Sequence, residues 1–286
     1  MKVSIIGAGT MGQGIAKAFA RNGAFTVFLC DSTPELAQKG ARAIAAAMES
    51  AVKKGRLSAE DADGCLSRIT PSMAVECAPD SDLVLEAAYE DLSVKKRIFA
   101  ELDALCKPDC IFATNTSSLS ITEIGAGLKH PVTGMHFFNP ADRMALVEVI
   151  AGAQSPEAHV ETVKEIAEQL GKTPVELKEA PGFVVNRLLI PMINEAAFVV
   201  MEGVTDAASV DSAMKLGANH PMGPLELGDM IGLDVCLAIM DVLYHETCDS
   251  KYRACPLLRK MVRGGKLGCK SGSGFYTYVN GKKTIG

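Results

Sequence analysis

His136 and Glu148 are the residues of this chain whose types and settings best suit proton chemistry. Each sits in an apolar run that reads as a strand, Gly134-Met135-His136-Phe137-Phe138-Asn139-Pro140 and Leu146-Val147-Glu148-Val149-Ile150. A single histidine in such a run is commonly a satisfied core residue. A carboxylate enclosed by valines and isoleucine is a stronger signal, because a buried acid needs a partner. Adjacent strands joined by a hairpin-like connection over 140–144 would bring Glu148 to His136. A carboxylate bonded to one imidazole nitrogen fixes the tautomer, favours the protonated ring and leaves the other nitrogen to move a proton. That is a general acid–base dyad, with a structural ion pair as the alternative. Asn115-Thr116-Ser117-Ser118 follows a strand-like segment, 110–114, at a place where ligands gather in parallel sheets. Ordinary helix capping also uses such hydroxyls. Asn186, after Pro181-Gly182-Phe183-Val184-Val185, stands at what reads as a domain junction, on a helix whose solvated face is the plainer explanation.

A second constellation lies at the N-terminus. Val3-Ser4-Ile5-Ile6 leads into Gly7-Ala8-Gly9-Thr10-Met11-Gly12, and a second strand over 26–30 ends at Asp31, nineteen residues after Gly12. In a G-x-G-x-x-G turn the first glycine permits the bend. The second lets the backbone approach a pyrophosphate, and the third lets the helix pack on the strand. Free N–H groups at the helix start then bind phosphate. Asp31 is placed to accept hydrogen bonds from a ribose 2′-hydroxyl and to repel a 2′-phosphate, so the pattern favours NAD over NADP. The acid–base pair would then work beside a nicotinamide.

These residues need a sheet to hold them. Strand-like runs at 3–6, 26–30, 83–87, 110–114, 132–137, 146–150 and 174–177 alternate with helical patterns such as 11–21, 94–106 and 157–170. The alternation predicts an α/β fold with a doubly wound, mostly parallel Rossmann-type sheet. The stretch 34–68 holds no strand and reads as a projecting helical pair, marked by the basic cluster Lys53, Lys54 and Arg56. From spacing alone, those lysines suit the dipole of a helix C-terminus. After Pro181-Gly182 the strand signals stop, which predicts a first domain over 1–182 and an all-α domain over 183–286. Pro191 should kink the first helix of that second domain. Its helices are too apolar for so small a unit, so assembly as a homodimer or higher homo-oligomer is expected.

The 286 residues are 48% hydrophobic, enough for sizeable cores, and the net charge of −5 argues against nucleic acid as a partner. No apolar run reaches the roughly 18 residues of a membrane span, so no membrane partner is expected. Met1-Lys2 runs directly into the first strand, which leaves no room for a signal peptide. The nine cysteines form no C-x-x-C pair. They read as reduced thiols of a cytoplasmic protein and not as a disulfide framework or metal cluster.

Taken in order, the glycine turn, Asn115-Thr116-Ser117-Ser118, His136-Phe137-Phe138-Asn139-Pro140, Pro181-Gly182-Phe183-Val184-Val185-Asn186-Arg187, Asn219-His220-Pro221-Met222-Gly223-Pro224 and Gly274-Phe275-Tyr276 resemble the L-3-hydroxyacyl-CoA dehydrogenases. The resemblance covers nearly the whole chain and is strongest to the short bacterial members of butyrate fermentation. It implies NAD(H)-dependent, reversible oxidoreduction of a short-chain (S)-3-hydroxyacyl-CoA thioester. His136 would take the 3-hydroxyl proton and Glu148 would orient it. Ser117 and Asn186 would hydrogen-bond the reacting oxygen and the thioester end. NAD would be held by Gly7, Ala8, Gly9, Thr10, Met11, Gly12 and Asp31, with further contacts from Glu90, Lys95, Ser117, Asn139 and Lys270. The helical pair would be the clamp for CoA, with Lys54, joined by Lys53, on its phosphate. A family serine in that clamp is Ala47 here, so one hydroxyl contact to CoA is lacking. Two other readings remain: a dehydrogenase of a free hydroxy or sugar acid, which needs no Lys54, and a non-catalytic NAD-binding structural protein.

Overall fold

Apolar strands and amphipathic helices alternate through the first 180 residues and order themselves into one sheet. The computed structural model describes residues 1–284, and its first unit is Met1–Ala180. The order is β1 (Lys2–Ile6), α1 (Thr10–Arg21), β2 (Thr26–Asp31), α2 (Pro34–Lys53), α3 (Ala59–Leu66), β3 (Ile69–Met73), α4 (Ala74–Cys77), β4 (Leu83–Glu86), α5 (Leu92–Asp103), β5 (Ile111–Thr114), α6 (Ile121–Ile124), β6 (Val132–Phe137), β7 (Leu146–Ala151), α7 (Glu157–Gln169) and β8 (Thr173–Lys178). The strands lie in the order β3-β2-β1-β4-β5-β6-β7-β8. Neighbours run parallel except β6 and β7. The chain winds outward from β1 to β3 and then restarts at β4 on the other side of β1. Right-handed crossovers put the helices of the two halves on opposite faces. This is the doubly wound, mostly parallel Rossmann-type sheet that the alternation predicts. Its switch point, where such sheets bind ligands, lies at the carboxyl ends of β1 and β4.

One strand is an addition to the expected set. β3, Ile-Thr-Pro-Ser-Met, carries Pro71 in its middle and lacks the apolar alternation of its neighbours. It forms because it lies at the sheet edge, where a residue without an N–H is tolerated. Between β2 and β3, α2 buries Ala37, Gly40, Ile44 and Met48, and α3 buries Ala62 and Cys65. Twenty helical residues make α2 about 30 Å long. Lys53, Lys54 and Arg56, at its far end, are exposed.

Three phenylalanines fix α1 to the strand that carries His136. Phe19 of α1 meets Phe25 edge-on at 5.1 Å between ring centroids and Phe137 of β6 at 6.5 Å. Each buried ring contributes roughly 1.5–3 kcal/mol through the area it removes from water.

The second unit, Pro181–Gly286, is helical. It comprises α8 (Val185–Met201), α9 (Ala207–Gly217), α10 (Pro224–Ile231), α11 (Leu233–Thr247) and α12 (Pro256–Arg263), followed by a short hairpin of β9 (Tyr278–Val279) and β10 (Lys282–Lys283). Ile190, Ile193, Leu225, Met240 and Leu258 are among its core residues. α8 continues through Pro191 to Met201. Two buried aspartates hold the motifs of this unit in place. Asp211 accepts the N–H groups of Leu225 (2.8 Å) and Glu226 (2.9 Å), and Asp229 accepts those of Phe275 (3.0 Å) and Tyr276 (2.9 Å). A Cβ on Gly223 would lie 2.2 Å from Asp211, and one on Gly274 1.9 Å from Asp229, which explains both glycines. Burial pushes the Asp229 carboxyl above its ordinary range, against the pull of those amides.

Candidate active site

His136 and Glu148 come together where the sheet changes direction. β6 and β7 pair antiparallel with His136 directly opposite Glu148, which puts both side chains on one face. His136 Nδ1 lies 2.8 Å from Glu148 Oε2, and the residues are 5% and 1% exposed. An Nδ1–H donated to the Glu148 carboxylate sets the tautomer and assigns proton exchange to Nε2. The Phe138 ring packs 4.5 Å from the imidazole and restricts it further.

Next to β6 lies β5, with Thr114 opposite Gly134. The Asn115 side-chain oxygen accepts the Phe137 N–H at 2.8 Å. That bond ties the loop of Ser117 to the end of the strand of His136. Ser117 is gripped from the other side by Glu90, whose Oε1 accepts the Ser117 N–H (2.7 Å), the Ser117 hydroxyl (3.2 Å) and the Thr116 hydroxyl (2.6 Å). Some hydroxyls of this loop do cap: Thr116 accepts the Leu119 N–H at 3.0 Å, and Ser120 accepts the Glu123 N–H at 3.0 Å to start α6. Burial raises the Glu90 carboxyl, but the Lys95 charge and the bonds from Thr116 and Ser117 outweigh it and hold it below the ordinary carboxylate range.

Lys95 is 1% exposed. Its ammonium lies 2.7 and 2.9 Å from the two oxygens of Glu86 and 3.1 Å from Glu90 Oε2. Glu86 is the functional-looking residue that sequence reasoning missed. The signal was available, since Leu83-Val84-Leu85-Glu86 is an acid in an apolar run, the same pattern that marks Glu148.

The glycine turn fits a dinucleotide. Gly7 has φ +112°, and a Cβ there would lie 2.5 Å from the Ala87 carbonyl oxygen. A Cβ on Gly12 would lie 1.7 Å from the Gly7 oxygen, so the helix can approach the strand only without one. Gly9 differs: a Cβ there meets no atom within 4 Å, and Gly9 starts α1 with no side-chain cap. The turn therefore presents an open helix N-terminus, with Thr10 and Met11 in its first turn, which is what a pyrophosphate requires. Asp31 Oδ2 accepts the Ala8 N–H at 2.8 Å, and Oδ1 accepts from Ser32 N–H (2.7 Å) and hydroxyl (3.2 Å). A carboxylate has about four acceptor positions, so capacity for a ribose hydroxyl remains.

Asn139 is exposed just past the end of β6. Lys53 and Lys54 are exposed at the end of α2, and Lys53 pairs with Glu49 at 2.6 Å. Ala47, seven residues before Lys54, is exposed as well. Asn186 and Lys270 belong to the second unit. Asn186 is half-buried in the first turn of α8, and Lys270 pairs with Asp234 at 2.6 Å. Within the first unit the structure thus gathers His136, Glu148, Ser117, Glu90 and Lys95 at adjoining strand ends.

Comparisons with known proteins agree across the whole chain. The family model for the 3-hydroxyacyl-CoA dehydrogenase NAD-binding domain matches residues 2–180, and that for the 3-hydroxyacyl-CoA dehydrogenase C-terminal domain matches residues 182–278. A 3-hydroxybutyryl-CoA dehydrogenase of Clostridioides difficile is 50% identical over 97% of this chain and 99% of its own length. A probable 3-hydroxybutyryl-CoA dehydrogenase of Bacillus subtilis is 48% identical over 97% of both. The crystal structure of (S)-3-hydroxybutyryl-CoA dehydrogenase from Ralstonia eutropha superposes with a TM-score of 0.92 at 45% identity, covering 98% of this chain and 99% of that one.

Proposed function

The chain belongs to the 3-hydroxyacyl-CoA dehydrogenase family, NAD-dependent oxidoreductases, and from that membership we propose how its residues carry the reaction. The reaction is the reversible interconversion of (S)-3-hydroxybutyryl-CoA and acetoacetyl-CoA. The observation that carries it is the buried His136–Glu148 pair, 2.8 Å apart, at the strand ends beside the Ser117 loop. NAD, when bound, supplies the hydride acceptor in one direction and the donor in the other.

The chain itself manages the proton and the positions. Nε2 of His136 takes the 3-hydroxyl proton during oxidation and returns it during reduction, while Glu148 holds the ring in the tautomer that allows both. Glu90 holds Ser117 by its N–H, the Ser117 hydroxyl turns its one proton from Glu90 to the reacting oxygen when substrate binds, and Asn186 serves the thioester end. Gly7 to Gly12 and Asp31 hold the dinucleotide, with Glu90, Asn139 and Lys270 around it and Lys95, buried against Glu86 and Glu90, acting on it through Glu90. Holding both reactants in register supplies the entropic part of the rate. Lys54, with Lys53, meets the CoA phosphate at the exposed end of α2.

The domains we propose are 1–182 for NAD and catalysis and 183–286 for assembly and the substrate. Leu188 and Leu216 of the second unit are 71% and 88% exposed, which supports burial against another copy in a homodimer or larger assembly. Among the described residues no helix is long and apolar enough to cross a membrane. We place the enzyme in the cytoplasm, in butyrate or fatty-acid metabolism. Steady-state reduction of acetoacetyl-CoA and of acetoacetate by NADH tests the reading. Turnover of the thioester far above that of the free acid is expected, and equal rates on both would favour a free hydroxy-acid dehydrogenase.

A further inference from the structure

Glu86 closes β4 with 0% of its surface exposed, and every direction around its carboxylate is occupied. Oε1 accepts the Ala88 N–H at 2.7 Å and lies 2.7 Å from Lys95 Nζ. Oε2 accepts the Thr114 hydroxyl at 2.6 Å and lies 2.9 Å from the same ammonium. Four hydrogen bonds, two of them from Lys95, fill the roughly four acceptor positions of a carboxylate, so nothing remains for a ligand. Lys95 is equally committed: three carboxylate oxygens surround an ammonium that has three protons to give. The remaining group is Glu90, which is 36% exposed and turns its other oxygen to the Ser117 N–H and hydroxyl.

We propose that Glu86 is a positioning residue that acts through Lys95 on Glu90, and through Glu90 sets the place of the Ser117 loop. This rests on the proposed role of Ser117. Lys95 is then a relay inside the protein. Thr114, the last residue of β5, joins the same carboxylate, so one buried acid couples the end of β4, the helix α5 and the start of the catalytic loop. If the Glu86 charge is lost, Lys95 keeps Glu90 as its one carboxylate partner in this cluster. Glu90 must then serve the ammonium and the loop together, and its hold on Ser117 weakens.

Glu86→Gln tests this by hydrogen exchange and by a double-mutant cycle, with thermal unfolding followed in parallel. Amides of 115–119 should exchange about tenfold faster or more, while those of β1 and β2 stay as in the parent protein, the mark of local and not global opening. The loss in kcat/KM for acetoacetyl-CoA should be about tenfold, a usual size for coupling within one hydrogen-bond network, and should shrink to near unity when Ser117→Ala is already present. Uniformly faster exchange, or losses from the two substitutions that simply multiply, would overturn the proposal and leave Glu86 a structural acid. Thr114→Val removes one donor to Glu86 without changing charge, together with the acceptor of the Thr116 N–H, so its effect is read at the amides of 117–119, where the same local pattern should appear at smaller size; a Glu86→Gln protein that fails to fold then does not end the test. The exchange experiment needs no substrate. A parent enzyme inert toward acetoacetyl-CoA would sink the proposed function, while the exchange pattern would still decide the case for Glu86.

Discussion

Gly9→Ala should separate binding from folding, because the three glycines of the turn have three different surroundings. Gly9 has φ −74° and ψ −169°, ordinary extended backbone, and an added Cβ meets nothing within 4 Å. The substitution therefore strains nothing in the protein. By narrowing the unfolded ensemble it should stabilise by about 0.4–1 kcal/mol, which in a domain of this size raises Tm by roughly 1–4 °C. The methyl group stands instead where the pyrophosphate must approach. Losing one charge-assisted hydrogen bond from the turn costs about 1.5–3 kcal/mol, or roughly 10- to 150-fold in Kd. Titration of NADH fluorescence together with a thermal melt reads both numbers. Gly12→Ala is the contrast: its Cβ would lie 1.7 Å from the Gly7 oxygen, so that protein should lose fold and binding together. If Gly9→Ala binds NADH as tightly as the parent, the turn does not receive the pyrophosphate. If it melts well below the parent, position 9 does not tolerate a side chain in the folded protein.

Other expectations concern cofactor choice, CoA and acid stability. NADPH should give a kcat/KM about a hundredfold or more below NADH, since a like-charge contact at Asp31 costs several kcal/mol; equal values would remove Asp31 from the ribose. Lys54→Ala should raise KM for acetoacetyl-CoA severalfold and leave kcat nearly unchanged, because remote phosphate binding is uniform binding. A thioester lacking the nucleotide should not feel the change, and equal losses on both substrates would make Lys54 structural. Asp103 accepts the N–H groups of Lys129 and His130 and lies 2.7 Å from the His130 ring nitrogen. Burial raises its carboxyl, but these bonds together hold it below the ordinary range. Its stabilisation is thus present above the unfolded value of about 4 and is lost as pH falls through the lower folded value. Thermal melts across that range should show a shallower acid loss for Asp103→Asn than for the parent, and parallel curves would contradict this.

The alternation of apolar runs was enough to read the sheet, because each central strand is buried on both faces and writes a continuous hydrophobic signature. β3 escaped, since an edge strand can contain Pro71 and leave two of its five residues polar. The His136–Glu148 pair was legible because a lone acid among valines demands a partner, and the short connection left β6 as the neighbour. Glu86 carried the same demand, but its partner Lys95 sits nine residues on in a helix, where a lysine reads as solvent-facing. Spacing shows that a lysine lies on a helix, and not which way the fold turns it. Asp229 and Asp211 were silent for a similar reason, because most of their partners are backbone amides, which no residue type announces, and the tyrosines that also donate to them, Tyr278 and Tyr276, lie 49 and 65 residues further along the chain.

The most direct measurement is kcat for NADH-dependent reduction of acetoacetyl-CoA by His136→Gln, with NADH affinity determined on the same protein. A positioned acid–base group contributes about 10²–10⁴-fold, so kcat should fall by that factor while NADH still binds as in the parent. A variant that keeps near-parental kcat would contradict the central claim, and His136 and Glu148 would then be a buried structural pair.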